Sequence, residues 1–264
     1  MQEIISTNNA KIKYLLQLQK KSSIRKEFKE FVIEGRREII AALKNGYQFK
    51  MLLFYPELFS ENEIYKLIKT FNLEVEIYKI SKNVYRKIAY RHSTEGIIAL
   101  AKMKSHAIDR LKISKNPSIL IAEGIEKPGN AGAMLRSVDG AGADALVLVN
   151  PKLDLYNPNV IRASLGMVFS IPVAVCNLKE LTDFLSQKQI RLYAAGLQNA
   201  NVYFKENFTG PTAIAVGAED KGLTQELRKI ATKQVYIPMK GQADSLNVSV
   251  SAAILLYEIV RQRY

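Results

Sequence analysis

Short apolar runs of strand length alternate with segments of helical spacing along the whole chain. That alternation leaves few options beyond helices packed on a sheet, so an α/β fold is expected. In the first hundred residues Ile12, Leu15, Leu16 and Gln19 recur at helical spacing, FVIEG reads as a strand, and RREIIAAL reads as a helix closed by Asn45 and Gly46. FKMLLFY, LEVEIYKI and GIIALAKM follow as strands, separated by the helices SENEIYKLIKTF, capped by Ser60, and SKNVYRKIA. The segment KSHAIDRLKISKNP, ending at Pro117, breaks the pattern. Beyond it come the strand SILIAE, a glycine-rich loop, a helix through MLRSV, the strand ALVLVN and further alternation to a last helix. The expected organisation is a small α/β domain over 1–105, a linker over 106–117 and a second α/β domain over 118–264.

With 48% hydrophobic residues in 264, each domain can bury a core. The lone cysteine, Cys176, and two histidines, His92 and His106, supply neither a disulfide framework nor a clustered zinc site, so a reducing, cytoplasmic setting without a metal is expected. No leader-like segment opens the chain, and no window approaches the roughly 20 apolar residues of a membrane span. The net charge of +13 favours a polyanionic partner. Residues 1–105 hold 20 basic and 11 acidic side chains, a balance of +9, whereas 106–264 hold 18 and 14, a balance of +4. The excess therefore lies where a nucleic-acid docking module would sit.

Within that module Lys20, Lys21, Arg25, Lys26 and Lys29 crowd one segment, and Arg36 and Arg37 open the next helix. Lys82, Arg86, Lys87 and Arg91 recur at offsets of four, five and nine, with Tyr85 and Tyr90 interleaved. Phosphate contact with base stacking is the functional reading, and a solvated helix face is the plain one.

GAGADA, Gly140 to Ala145, matches the spacing of a dinucleotide fingerprint, but it follows a helix and precedes a strand, the reverse of the required order. Its glycines are read as ending the helix. Neither a Walker-type lysine loop nor a serine triad is present. Three other segments carry more. EGIEKPGNAGAMLRSVDGAG follows a buried strand, sets Gly129 and Gly132 around Asn130, and launches a helix bearing Arg136 near its start. A guanidinium beside such a turn suits an RNA phosphate or a developing oxyanion. AIAVGAEDKGL places Gly217, Glu219 and Gly222 at a strand end, where ligands commonly bind. Glu219 is read either as pairing with Arg136 or as meeting a cofactor loop. IPMKGQADSLNVSVSAAILLYEIVRQR runs from a strand end through Pro238 and Gly241 into a long helix expected to begin near Ser245. Val248, Ala252, Leu255, Leu256 and Ile259 form its apolar stripe, as packing or dimer surface.

NAGAMLRSVDGAGA, AVGAEDKGL and IPMKGQADSLNVSVSAAILLYE, in this order, resemble the three motifs of the SpoU (TrmH-like) family of RNA ribose methyltransferases, in the SPOUT class. The resemblance covers most of 118–264, and the third motif is its most specific part. It implies a C-terminal α/β-knot domain with a trefoil knot, an S-adenosylmethionine cofactor and a homodimer formed through that domain. It implies catalytic roles for Arg136, Asn130, Glu219, Ser245 and Asn247. It implies that backbone at Gly217, Ile237, Met239, Leu246 and Asn247, with Ala195 and Gly196, grips the cofactor. FVIEGRREIIAAL resembles part of the ribosomal-protein-like substrate-binding domain often fused to this core, which favours ribosomal RNA.

The expected activity is methyl transfer to a ribose 2'-hydroxyl of structured RNA. The alternatives are a transfer-RNA ribose methyltransferase and a non-catalytic RNA-binding protein. Transfer from a sulfonium needs alignment and charge stabilisation more than a metal. A guanidinium seldom gives up its proton, so Arg136 is read as stabilising the alkoxide, with Ser245, Asn247 or a phosphate-linked water handling the proton.

Overall fold

The computed structural model describes residues 2–90 and 95–264. They form two compact units, one of residues up to Lys104 together with Asp154–Ser170, the other of Ser105–Leu153 with Ile171–Tyr264.

The first stretch runs β1 (Gln2–Ile4), α1 (Ala10–Lys20), α2 (Ser22–Phe28), β2 (Glu30–Glu34), α3 (Arg36–Lys44), β3 (Phe49–Phe54), α4 (Glu61–Phe71), β4 (Glu76–Ile80), α5 (Lys82–Ile88) and β5 (Ile97–Lys102). The strands lie in the order β1-β4-β3-β5-β2. β1, β4 and β3 are parallel, and β5 runs antiparallel to both β3 and β2. Ile12, Leu15 and Leu18 of α1 and Val84 and Ile88 of α5 close one face over Leu53 and Ile98. Ser60 opens α4 through a reciprocal capping box with Glu63, as its sequence position predicts. The helix α2 was not expected, because SSIRKEF is short and polar and shows no apolar period.

The second stretch runs β6 (Ser118–Glu123), α6 (Pro128–Gly140), β7 (Ala145–Val149), α7 (Pro158–Ala163), α8 (Met167–Ser170), β8 (Val173–Cys176), α9 (Leu178–Gln187), β9 (Arg191–Ala195), β10 (Asn201–Val202), β11 (Thr212–Val216), α10 (Gln225–Ile230), β12 (Lys233–Tyr236) and α11 (Val248–Arg263). Its seven strands lie in the order β10-β12-β9-β11-β6-β7-β8, and every pair is parallel. β6 and β7 are buried at every residue, which is why they read as unbroken apolar runs rather than alternating ones. α11 packs against α6 and across β11 and β6. Gly142, with φ +62, follows α6 in the left-handed region, as expected of the GAGADA segment.

Two assignments depart from the domain boundaries read in the sequence. α7 and α8 belong to the first unit, where Tyr156 and Phe169 join Phe31 and Tyr47 in an aromatic cluster, with Phe31 and Tyr156 centroids 4.2 Å apart. Residues 106–117 pack in the second unit: Ile108 enters its core, and the Val175 N–H donates to the His106 carbonyl at 2.7 Å.

Candidate active site

β9, β11 and β12 are adjacent and parallel, so their carboxyl ends share one sheet edge. A cavity of about 400 Å³ opens there, within the range of small-molecule sites. Its wall is built from Ala195 and Gly196 at the end of β9, Val216–Glu219 at the end of β11 and beyond, Ile237 and Met239 after β12, and Ser245–Val248 leading into α11. All the residues expected to grip a cofactor, Ala195, Gly196, Gly217, Ile237, Met239, Leu246 and Asn247, line this one cavity. Glu219 and Ser245 line it as well.

Local sequence dictates the shape of the wall. After β11 the chain doubles back, with the Gly222 N–H donating to the Ala218 carbonyl at 2.8 Å. A Cβ on Gly217 would lie 2.0 Å from the Gly222 carbonyl carbon, so only glycine permits this fold-back. Glu123, the buried last residue of β6, fixes the far end of the loop. Its carboxylate accepts from the Thr224 N–H at 2.8 Å and the Thr224 hydroxyl at 2.7 Å. Thr224 in turn caps α10 by accepting from the Leu227 N–H.

The three motif segments meet at Glu219. Its carboxylate accepts from Asn130 Nδ2 at 2.6 Å, from Asn247 Nδ2 at 3.1 Å and from the Lys127 ammonium. Asn247 Nδ2 also lies 3.2 Å from Asn130 Oδ1. The Lys127 hydrogen bond, and then that of Asn130, hold the Glu219 carboxyl below the usual carboxylate range; Glu219 in turn pushes the Lys127 ammonium above the usual lysine range. Both groups are charged at neutral pH. A second cavity of about 290 Å³ lies beyond this hub, lined by Ile125, Glu126, Lys127, Asn130, Ala218, Glu219 and Asp220. Ala218 and Glu219 line both cavities.

The geometry corrects several expectations. Glu219 does not pair with Arg136; among the described contacts its carboxylate is taken by Lys127, Asn130 and Asn247. The glycine-rich turn is itself helical, because Pro128 starts α6 and Gly129 and Gly132 fall inside it. Arg136 is therefore the ninth of its 13 residues rather than near its start, and its side chain is exposed. Six residues of helix place it about 9 Å along the axis from Asn130 and about a third of a turn away. The last helix begins at Val248, not near Ser245, and Asn247 is its cap, accepting from the Ser249 N–H at 2.9 Å. The stripe Val248, Ala252, Leu255, Leu256 and Ile259 is buried, while Val250 and Tyr257 stand exposed on another face of α11. Glu123, Lys127 and Asp244, the last also on the wall of the first cavity, do not stand out in the sequence. For Glu123 there was a signal, an acidic residue closing the apolar run SILIA.

In the first unit, Lys20, Lys21, Lys26, Arg36, Arg37, Arg86 and Lys87 are exposed. Arg36 and Arg37 already meet Glu63 and Glu38 at 3.0 and 2.9 Å. Arg25 is not available to RNA. It is 2% exposed, its Nε donates to Asp154 at 2.7 Å, and its Nη1 donates to the Leu18 carbonyl at 2.5 Å. Tyr85 is also buried, stacked on Tyr55 with its hydroxyl accepting from the Gly96 N–H, so it offers no face to a base. The Tyr90 ring carries the Arg162 guanidinium 4.8 Å from its centroid. Arg91 and His92 lie outside the described residues.

Residues 117–257 match the model of the SpoU rRNA Methylase family. This chain belongs to that family. Residues 9–99 of this SpoU methylase match the MRM3-like substrate binding domain. The 23S rRNA (guanosine(2553)-2'-O)-methyltransferase RlmP of Bacillus subtilis (strain 168) is 30% identical to it over 259 residues, which is 98% of this chain and 99% of the relative. Among solved structures, an RNA 2'-O ribose methyltransferase is 40% identical, covers 99% of both chains and superposes with a TM-score of 0.83. An AdoMet-bound rRNA methyltransferase from Sinorhizobium meliloti is 25% identical, covers 98% of this chain and 97% of that one, and superposes with a TM-score of 0.90. The α/β fold read from the sequence and the SpoU resemblance thus hold along the chain.

Proposed function

We propose that this SpoU methylase transfers a methyl group from S-adenosylmethionine to a ribose 2'-hydroxyl of ribosomal RNA. The observation that carries the reading is the Glu219 hub, which ties the three motif segments together between two adjoining cavities at the carboxyl edge of the sheet.

The cavity suits a nucleoside that carries positive charge. Val216, Val235, Ile237 and Leu246 offer apolar wall to a flat ring, and the carboxylate of Asp244 complements a cationic group, that of Glu219 being already paired with Lys127. When bound, S-adenosylmethionine supplies an activated methyl group.

The chain's own residues do the rest. Gly217 lets the wall approach closely, and Glu219 and Asn247 hold the rim in place. Arg136 serves as stabiliser of the emerging alkoxide, while Ser245 or a phosphate-linked water relays the proton to the phosphate or to solvent; the Asn247 amide is no base, and its Oδ1 already accepts from the Ser249 N–H. The exposed cations Lys20, Lys21, Lys26, Arg86 and Lys87 of the first unit dock the RNA backbone. The reading extends to a trefoil knot, to a cytoplasmic setting and to a homodimer through the second unit, for which the exposed Val250 and Tyr257 of α11 offer an apolar surface. Ribose-methylation mapping in RNA from cells with and without the gene tests the assignment. One 2'-O-methyl mark should vanish from ribosomal RNA; a mark lost from transfer RNA alone would move the substrate to that pool.

A further inference from the structure

The cavity beyond the Glu219 hub lies between the loops that leave β6 and β11. These strands are neighbours, but the chain leaves β6 toward β7 and reaches β11 only after building the other side of the sheet. Such a reversal of strand order opens a crevice at the carboxyl edge, and α/β sheets use that crevice for ligands. The larger cavity, assigned above to the cofactor, sits one strand over, and Ala218 and Glu219 are the shared partition. A methyl acceptor must approach a bound cofactor from outside its own cavity, and the crevice is the adjoining opening.

A ribose 2'-hydroxyl is bonded to the carbon next to the one that carries the 3'-phosphodiester. Any group that brings the hydroxyl to the partition therefore brings a phosphate within a few ångströms of it. Glu126, Glu219 and Asp220 also face the crevice, so an incoming phosphate meets carboxylates unless a cation intervenes. Glu126 is paired with Lys152, and Glu219 with Lys127. Lys127 is the cation that lines the crevice itself. Its side chain is 70% exposed, and Glu219 occupies one of the three N–H donors of its ammonium.

Resting on the functional reading above, we infer that Lys127 is a substrate-contacting residue, bridging Glu219 and the phosphate on the 3' side of the target ribose. It thereby orients the hydroxyl and cancels the repulsion between RNA and the carboxylate that organises the site. A phosphate contact has a signature that a purely structural lysine lacks, since it releases a counterion and steepens the salt dependence of RNA binding.

The test uses the full-length protein, Lys127→Gln, which keeps a donor for Glu219 without the charge, and Lys127→Arg, which keeps both. Affinity for a ribosomal RNA fragment that the wild type methylates is measured across a salt series, alongside S-adenosylmethionine affinity by calorimetry and the thermal midpoint. Lys127→Gln should lower the slope of log affinity against log salt by about 0.7–0.9 and weaken binding about five- to tenfold near 0.1 M salt. Cofactor affinity should stay unchanged, and Lys127→Arg should restore the slope. An unchanged slope in Lys127→Gln, with either cofactor affinity or thermal midpoint reduced, would overturn the inference and leave Lys127 as a support for Glu219. Failure of the wild type to methylate any RNA would count against the functional reading instead.

Discussion

Glu123 and Thr224, 101 residues apart, are joined by two hydrogen bonds of 2.8 and 2.7 Å through one buried carboxylate. This clasp fixes the loop that forms the partition between the two cavities to the end of the interior strand β6. In Glu123→Ala the Thr224 amide and hydroxyl lose their acceptor, at a cost of about 1–3 kcal/mol. The thermal midpoint should fall by several degrees and S-adenosylmethionine affinity about tenfold, as read by calorimetric melting and titration. A variant with native melting and native affinity would show that the loop needs no clasp.

Asn247 has two tasks, capping α11 and donating to Glu219. Asn247→Asp keeps a capping oxygen but sets a carboxylate against Glu219, whereas Asn247→Ser keeps the cap alone. Both should retain most of the stability, with Asn247→Ser within about 1 kcal/mol of wild type by denaturant titration. Methyl transfer should fall at least tenfold in each, and further in Asn247→Asp.

Among the basic residues the structure separates surface from support. Arg25→Ala strands the Asp154 carboxylate, 10% exposed, and should destabilise the first unit by about 3 kcal/mol. Lys20→Ala and Lys26→Ala should leave melting unchanged while each lowers the salt slope of RNA binding by up to about 0.9. The reverse pattern would contradict the burial-based division.

The sequence made that division hard to see. A buried arginine has the same one-letter appearance as a surface one, and the partner that neutralises Arg25 lies 129 residues away in a segment read as part of the other domain. The same long-range dependence hid the place of Tyr156 and Phe169 in the first unit's aromatic cluster. The buried strands of the second sheet were legible because their apolar runs are continuous, and the cap of α4 because Ser60 and Glu63 carry the whole interaction. That Ala195, Gly217, Ile237, Met239 and Leu246 would come together was legible through the motif resemblance, since all of them line the first cavity. Lys127 and Glu123 escaped because their roles are set by partners 92 and 101 residues away, which no local period records.

The charge state of the hub sets its pH range. The Glu219 carboxyl is held below its ordinary range by Lys127 and Asn130, so the stability it lends is present above the unfolded-state value and is lost as pH falls through the lowered folded value. Lys127 is raised by Glu219, so its contribution is lost only as pH rises above the ordinary lysine range. The thermal midpoint should therefore show no titration of this pair between about pH 5 and about pH 10, and a midpoint near neutrality would point to another group.

Arg136 is exposed on α6, well along the helix from the hub, so its removal should spare the cofactor wall. The most direct measurement is transfer of labelled methyl from S-adenosylmethionine to purified ribosomal and transfer RNA by wild type and Arg136→Ala, with the products digested to nucleosides. The expected result is a 2'-O-methylnucleoside from ribosomal RNA with the wild type, and a loss of at least a hundredfold in Arg136→Ala at unchanged cofactor affinity. Label on a base, or unaltered transfer by Arg136→Ala, would contradict it.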